Sequence, residues 1–283
     1  MTNLRTEYET YYSKHYIQYQ LTEALKHREL ALFGLPKGNT NPENLRGGVT
    51  IRNIKAWGSN QLQTNFKDFR VYSKYYKMYY SLAKFSNGTF PYFSPEPTTR
   101  KIQQEKFNNE LNNEPEKFIE SYDLLFDIDE NNFVEGHRQA TDLLNFLQSY
   151  RLPVFINPSG GKTGGFHIRV DFKHFADKIN PIDAPGQFIN IAKKLKEIAP
   201  SIDTSIYSLR RVCKLPYSLV FTDKAWRVIL PLTKEEFDNF TFDKCKLQHV
   251  YNNNRLSNRG LCEITCNGQT NVKGMFKYLD MEE

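Results

Sequence analysis

The stretch YDLLFDIDE, Tyr122–Glu130, is the densest apolar run in the first half of the chain, and it ends in carboxylates. A short apolar run between polar flanks is typical of a buried strand. Because strand side chains alternate between faces, Asp127 and Asp129 are expected on one face and the apolar side chains on the other. Neighbouring carboxylates repel each other unless a cation lies between them, and a divalent metal with oxygen ligands meets that need. The alternative is an acidic turn at the end of an ordinary strand.

Composition limits the class of protein. The chain has 283 residues, 39% of them hydrophobic and 25% charged, and a formal net charge of +6. This composition predicts a soluble globular protein with one large domain or two lobes. No run is long enough to span a membrane and the first residues lack the apolar core of a signal peptide, so we expect an intracellular, cytoplasmic protein without a membrane partner. The positive charge permits a nucleic-acid partner without specifying one.

Periodicity predicts an N-terminal α/β lobe. Tyrosines recur at helical spacing between residues 8 and 30, which predicts a helix there. The lobe is then expected to contain a strand over 49–57 that carries Arg52, a helix over 60–69, strand character at the end of 70–85, and a helix or linker over 101–120.

The elements after Glu130 predict an RRM-like sheet. A helix over 135–150 and strands over 153–157 and 166–171 follow the carboxylate strand, and a second helix covers 187–199. The order strand–helix–strand–strand indicates a right-handed crossover between neighbouring parallel strands. The predicted fold class is α/β (α+β) with two lobes. Its predicted domains are 1–115, the N-terminal lobe; 116–240, the RRM-like lobe with the acids; and 241–283, a C-terminal appendage.

A second cluster lies in INPSGGKTGGFHIRV, Ile156–Val170. A phosphate-binding P-loop would need a glycine where Ile156 stands and a helix after the loop, whereas FHIRV predicts a strand, so a P-loop hydrolase is disfavoured. The loop amides, Ser159, Lys162 and His167 are still groups that can hold a triphosphate. The alternative is an ordinary hairpin loop with an incidental histidine.

A third cluster lies in IDTSIYSLRRVCKLPYSL, Ile202–Leu219. Asp203 supplies a further carboxylate, and Arg210, Arg211 and Lys214 supply cations; alone, these could be a surface acid beside a solvated basic strand. Together, the three clusters contain what a two-metal nucleotidyltransferase needs. Three acids can hold two cations about 3.5–4 Å apart, and basic groups neutralise the triphosphate.

In this order the clusters resemble the motifs of the archaeo-eukaryotic primases, the small catalytic subunits within the primase-polymerase superfamily. LLFDIDE resembles the first motif, PSGGKTGGFHI the Ser-Gly loop and strand histidine of the second, and IDTSIYSLRRVCKLPYSL the third. HRELALF, Val49–Arg52 and MYYSLAKF resemble the N-terminal strands of the family. The resemblance covers residues 8–240.

The resemblance implies a primase-polymerase fold and template-directed primer synthesis or extension on single-stranded DNA. It implies partners of several kinds: a DNA template, a primer strand, NTPs or dNTPs, and a large primase subunit or other replication and repair proteins. The implied metal ligands for two Mg²⁺ or Mn²⁺ are Asp127, Asp129 and Asp203. The implied nucleotide-binding residues are Ser159, Lys162, His167, Arg211, Lys214 and, as a further candidate, Arg52.

The sequence departs from the family pattern at three points. The loop from Ser159 to His167 is longer than usual, and Val220 stands where the family often has a histidine that binds phosphate. The zinc-binding insertion that many replicative members carry after the first motif is absent. The longer loop leaves the roles of Ser159 and Lys162 open, and Val220 removes one phosphate donor.

A different metal site is predicted near the C-terminus. Cys245, His249, Cys262 and Cys266 form the pattern C-x3-H-x12-C-x3-C, and two ligand pairs joined by a short loop can close a tetrahedral zinc site. Some primase-polymerases carry such a module after the catalytic core. The alternative is that the cysteines are simply buried.

Two other functions stay open. An end-joining, gap-filling repair polymerase of the same superfamily would extend chains without starting them. A non-catalytic single-stranded nucleic-acid-binding module would keep the RRM-like sheet without the chemistry. The choice between ribonucleotides and deoxyribonucleotides is also open.

Overall fold

The computed structural model describes residues 4–35, 41–42, 50–69, 74–94, 96–160, 164–252, 256 and 260–281. The chain divides into two compact units. Unit 1 comprises Met1–Glu120, Val212–Ile229 and Phe242–Gly260, and unit 2 comprises Ser121–Arg211, Leu230–Thr241 and Leu261–Glu283. The predicted domain boundaries stay predictions; in this division the segment 241–283 contributes to both units. Within the described ranges, no helix is both long and apolar enough to cross a membrane.

The described helices are, in chain order, α1 (Leu4–Ser13), α2 (His15–Leu25), α3 (Ser59–Phe69), α4 (Pro97–Asn113), α5 (Phe133–Ser149), α6 (Ala184–Leu195), α7 (Lys234–Asp238), α8 (Leu247–Asn252) and α9 (Val272–Tyr278). The described strands are β1 (Glu29–Gly34), β2 (Thr50–Lys55), β3 (Tyr76–Ser81), β4 (Ala83–Phe85), β5 (Ile119–Tyr122), β6 (Leu124–Ile128), β7 (Val154–Pro158), β8 (Phe166–Val170), β9 (Val212–Lys214), β10 (Leu219–Thr222), β11 (Ala225–Val228) and β12 (Glu263–Ile264). The mixed α/β class predicted from the sequence is confirmed.

Unit 1 is built on an antiparallel sheet in the order β2-β1-β3-β9. The prediction of one helix over residues 8–30 is wrong, because the chain forms α1 and α2, breaks between them at Lys14, and ends the second helix at Leu25. From Glu29 onward the backbone pairs with both β2 and β3, so strand pairing takes over from helical periodicity. The predicted strand over 49–57 and helix over 60–69 are confirmed by β2 and α3.

Unit 2 is built on a four-stranded sheet in the order β12-β7-β8-β6. The predicted helix over 135–150 and the strands on either side of the glycine-rich loop are confirmed by α5, β7 and β8. The predicted adjacency of parallel strands is wrong. Strand β8 pairs antiparallel with both β6 and β7 and lies between them, because the short loop after β7 folds β8 back as a hairpin.

Alternation along these strands separates an apolar face from a polar one. Phe126, Ile168 and Ile156 lie on the apolar face and are fully buried. Helices α5 and α6 pack on this sheet and bury apolar residues of their own, such as Leu144 and Ile191. The opposite face therefore carries the polar side chains of the strands.

The end of the glycine-rich loop packs closely on the first turns of α5. A Cβ atom on Gly136 would lie 2.2 Å from the carbonyl oxygen of Gly164, and a Cβ atom on Gly164 would lie 2.3 Å from the Cα atom of Phe133. Real Cβ atoms do not approach backbone atoms so closely, so these two positions need glycine for packing.

We therefore predict that Gly136→Ala lowers the free energy of unfolding by about 1–3 kcal/mol, because the methyl group forces the loop away from α5. Gly186→Ala is the matched control, since Gly186 is also helical and a Cβ atom there would meet nothing within 4 Å. The control should be neutral or stabilise the protein by about 0.5–1 kcal/mol through helix propensity. Urea unfolding of both variants measures the difference; equal effects would contradict the packing argument.

Candidate active site

The end of β6 is closed by a distant segment, residues 201–203. Ile128 and Ile202 form an antiparallel bridge. The Asp203 amide donates to the Asp127 carbonyl at 2.8 Å, and the Asp129 amide donates to the Ser201 carbonyl at 3.0 Å. Asp127 and Asp203 are therefore directly opposite each other, and opposite residues of antiparallel neighbours project from the same face.

The same row of side chains continues in the other direction across the sheet. Asp127 is opposite His167 on β8, and His167 is opposite Asn157 on β7. The Nε2 atom of His167 lies 3.4 Å from the Oδ1 atom of Asp127. Both His167 and Asn157 are buried. Asn157, His167, Asp127 and Asp203 thus form one polar row on the face opposite the apolar core.

The third predicted acid, Asp129, follows on the same face by strand alternation and is exposed. One oxygen of Asp203 accepts a hydrogen bond from the Ser205 amide at 2.8 Å. In the part of the chain that the structure describes, no three or more His, Cys, Asp or Glu side chains are gathered closely enough to hold a metal ion. Carboxylate oxygens on a shared face nevertheless fit the ligand preference of Mg²⁺ or Mn²⁺, and side-chain rotation would be needed to complete a ligand set.

A hydrogen-bond network fixes the strand end that carries the acids. The Ser201 hydroxyl donates to Glu130 Oε2 at 2.7 Å, and the Ser201 amide donates to Gln139 Oε1 at 2.8 Å. The Ser201 hydroxyl and the backbone amides of Asn132 and Asn131 lower the pKa of Glu130 below its ordinary value. Gln139 projects from α5 and is buried, so this helix helps to set the position of the acids.

Tyr207 lies near two of the acids and contacts the sheet. Its hydroxyl donates to the Leu125 carbonyl at 2.6 Å. Burial raises the pKa of Tyr207 well above its ordinary value, and Tyr122, Asp127 and Asp203 raise it further. The hydroxyl therefore stays protonated at neutral pH and acts as a hydrogen-bond donor beside the acids.

The glycine-rich loop reaches the end of the polar row. The Ser159 amide donates to the Gly165 carbonyl at 2.9 Å, which closes the loop. A Cβ atom on Gly165 would meet the Ser159 hydroxyl at 2.5 Å and the Ile128 carbonyl at 2.8 Å. Two glycines of this motif, Gly164 and Gly165, thus have a packing role. The predicted phosphate ligand Lys162 lies outside the described residues.

The remaining predicted nucleotide ligands have other surroundings. Arg211 is half-buried in unit 2, and its backbone amide donates to the Ser208 carbonyl. Lys214 lies on β9 of unit 1. Arg52, on β2 of unit 1, donates to both carboxylate oxygens of Glu29, at 2.6 and 3.1 Å, so its charge is already paired with a buried acid. A role of these residues in nucleotide binding stays a prediction.

The four residues of the predicted zinc site are divided between the two units. Cys245 and His249 belong to unit 1, whereas Cys262 and Cys266 belong to unit 2. All four lie in the described ranges, where the cysteines are free thiols and Cys245 is buried. Zinc binding stays a prediction.

Sequence reasoning missed several residues that shape this site. Asn157, Glu130, Gln139, Ser201 and Tyr207 were not singled out. Of these, Asn157 gave a signal, because it is a polar residue inside the apolar strand VFINP and is in phase with the loop serine two residues later. The others act through contacts between distant segments.

No protein-family model and no curated protein matches this chain. Among solved structures, it is similar to the structure entitled "Polymerase Domain from Mycobacterium tuberculosis Ligase D in complex with DNA". The TM-score is 0.53 and the sequence identity 14%, over 90% of this chain and 93% of that one. At this identity the similarity establishes the fold, which is like that of a polymerase domain, and leaves the activity to be argued from the residues.

We predict that Ser201→Ala raises the pKa of Glu130 towards its ordinary value, because the variant loses the hydrogen bond from the Ser201 hydroxyl, which contributes most to lowering this pKa. The stability that Glu130 contributes is present above the ordinary carboxyl pKa and is lost as pH falls through the lower pKa of the folded state. In the variant the folded-state pKa is closer to the ordinary value, so this stability should be smaller and should be lost at a higher pH than in the unsubstituted protein as the pH falls. Carboxyl ¹³C chemical shifts followed against pH measure the change.

Glu96 is the internal control for this titration. Thr99 and Thr98, at the start of α4, lower the pKa of Glu96 to about 2, and Ser201 takes no part in that arrangement. The Glu96 titration should be the same in both proteins. An unchanged Glu130 titration in Ser201→Ala would mean that the network does not fix this strand end.

Proposed function

We propose that this chain is a nucleotidyltransferase that joins nucleotides to a nucleic-acid strand on a DNA template. The observation that carries the proposal is the direct opposition of Asp127 and Asp203 on one sheet face, with His167 beside Asp127. The fold similarity to a polymerase domain supports it. The order of the three sequence motifs supports it independently, since motif order does not depend on the fold comparison.

In this proposal the acids have one shared role. Asp127, Asp129 and Asp203 would hold two Mg²⁺ or Mn²⁺ ions. When bound, such ions lower the pKa of an attacking 3′-hydroxyl and neutralise charge on the leaving pyrophosphate. The chain contributes by fixing Asp127 and Asp203 on paired backbone positions, so that side-chain rotation, without a change of the backbone, would bring their carboxylates to a common ligand.

His167, Ser159, Lys162 and Arg211 are proposed to bind the triphosphate of the incoming nucleotide. His167 is held by β8, and its Nε2 atom lies 3.4 Å from Asp127, longer than an ordinary hydrogen bond. In this role the ring would reach a phosphate oxygen as well as the carboxylate. Ser159 follows β7 at the loop end of the same hairpin, where its amide donates to the carbonyl of Gly165, two residues before His167.

The primer requirement separates two versions of the proposal. A primase starts chains on unprimed single-stranded DNA, whereas a gap-filling repair polymerase only extends them. The similar structure is the polymerase domain of a ligase, bound to DNA. This similarity is the specific observation that supports the second candidate function, extension of an existing strand.

We predict that Asp127→Asn and Asp203→Asn each reduce nucleotide incorporation by on the order of 10²–10³-fold or more, because each removes a charged group at the reacting centre. Incorporation is measured with labelled NTPs and dNTPs, separately, in Mg²⁺ and in Mn²⁺. Asp177→Asn is the matched control, since Asp177 is an exposed acid of the same unit outside the polar row. Full activity in either test variant would overturn the assignment.

The same assay with and without a primer tests the two versions. Products on an unprimed single-stranded template, absent from Asp127→Asn, would support primer synthesis. Products that require an annealed primer would support the repair polymerase. Binding of single-stranded DNA without any incorporation, under all of these conditions, would support the non-catalytic module instead.

A further inference from the structure

A groove rich in lysine lies between α6 and α9 in unit 2; we call it the lysine groove. Its volume is about 910 Å³. Its lining residues come from the segment before α6, from α6 itself and from the C-terminal part of the chain: Lys178, Ile179, Gln187, Asn190, Lys193, Lys194, Lys273, Phe276, Asp280 and Met281. None of them takes part in the candidate active site.

The groove concentrates positive charge. Its lining includes four lysines and, among the described residues, one acid, Asp280. The net charge of the lining is therefore +3, half of the formal +6 of the whole chain. All four lysines are exposed. Like charges gathered in a concave surface raise the local positive potential and attract anions.

The two walls of the groove are fixed to each other. Gln187, Asn190 and Lys194 recur at helical spacing on one side of α6, over a length of about 10 Å. The ammonium group of Lys194 donates to the Leu279 carbonyl and, at 3.3 Å, to the Asp280 carbonyl, at the end of α9. This contact ties α9 to α6 and makes Lys194 part of the framework of the groove.

The groove and the acids belong to different surfaces of unit 2. Helix α6 packs against β6, and the apolar residues of the helix and of this sheet face are buried together. The polar row with Asp127 lies on the other face of the sheet. A ligand in the groove would therefore add contacts without entering the site of chemistry.

We propose that the lysine groove binds the phosphodiester backbone of single-stranded nucleic acid, as a second contact outside the active site. This proposal rests on the proposed function, since it assumes that the protein acts on a nucleic-acid strand. Lysine ammonium groups act as point charges for phosphate, and the amides of Gln187 and Asn190 add hydrogen-bond donors. Gln187, Asn190 and Lys194 follow α6 in a row, and Lys178 and Lys273 add charge from outside this helix, so the groove fits an extended polyanion.

An acidic protein partner fits the groove less well. Protein interfaces are depleted in lysine and depend on buried aromatic or apolar anchors. Of the apolar lining residues, Ile179 and Phe276 are only 5% and 7% exposed and Met281 is half-buried, so together they offer little surface to a peptide. The lysine groove is positively charged and lacks an open apolar pocket, which favours nucleic acid over an acidic protein as its ligand.

The test compares two triple variants of the full chain that lose the same charge. Lys178→Gln/Lys193→Gln/Lys273→Gln removes groove charges and keeps Lys194, which ties α9 to α6. Lys101→Gln/Lys106→Gln/Lys117→Gln removes three exposed lysines of unit 1, each of which lies beside a glutamate. Fluorescence anisotropy with a labelled single-stranded DNA oligonucleotide, over a series of salt concentrations, measures binding.

We expect the groove variant to bind about tenfold more weakly, and the slope of log K against log salt to become shallower by about 2. The control variant should change affinity less than about twofold. Equal changes in the two variants, or no change in the groove variant, would overturn the proposal. A groove variant that binds polyglutamate more weakly but binds DNA normally would also overturn the proposal, because it would assign the groove to an acidic protein.

Two further measurements keep this test separate from catalysis and from folding. In Asp127→Asn the difference between the triple variants should persist, since binding in the groove does not need the acids. No incorporation by the unsubstituted chain, with the binding difference between the triple variants intact, would count against the proposed polymerase activity and leave the groove proposal standing. If the groove triple unfolds, as judged by circular dichroism, the single variant Lys193→Glu must still weaken DNA binding, and normal binding by it would refute the proposal.

Discussion

The pairing of residues 201–203 with the end of β6 is the constraint on which the candidate site depends. It places Asp127 opposite Asp203, although like charges directly opposite each other destabilise a sheet. Two backbone hydrogen bonds, at 2.8 and 3.0 Å, hold the strands together against this repulsion. Ser201 reinforces the pairing because its hydroxyl binds Glu130 and its amide binds Gln139. An arrangement that holds two acids together in this way is suited to a cationic ligand.

Another acid, Asp123, which lies between β5 and β6, shows the surroundings of a structural carboxylate in this protein. Asp123 is fully buried, and its two oxygens accept hydrogen bonds at 3.1 Å from Arg169 and from the Phe172 amide. A buried acid paired in this way is costly to disturb and serves the fold. Asp127 differs, since its side chain is 24% exposed and its histidine neighbour lies at 3.4 Å. The contrast supports the proposal that Asp127, and not Asp123, binds a ligand.

Local pattern predicted the parts of the site that lie on single elements. Strand alternation predicted a shared face for Asp127 and Asp129. The β-type residues after the glycine-rich loop disfavoured a P-loop, and the strand β8 at that position confirms that no helix follows the loop directly. The antiparallel position of β8 between β6 and β7 was missed, because a crossover helix and a hairpin are both compatible with the same order of elements. The network of Glu130, Gln139 and Ser201 depends on register between distant segments, and periodicity within one element contains no information about it. The end of α2 at Leu25 was missed for a related reason, since strand pairing overrides helical spacing.

The glycines of the loop are compatible with two roles, phosphate binding and close backbone packing. In SGGKTGG they resemble a phosphate cradle, yet Gly164 packs on Phe133 and Gly165 packs between Ser159 and Ile128. Such packing explains why glycine is needed at these two positions without any ligand. A fold of this kind can persist at 14% identity because a core requires apolar side chains of suitable size and pattern more than particular residues. Activity depends on particular groups, so the paired acids support the proposed function more strongly than the shared fold does.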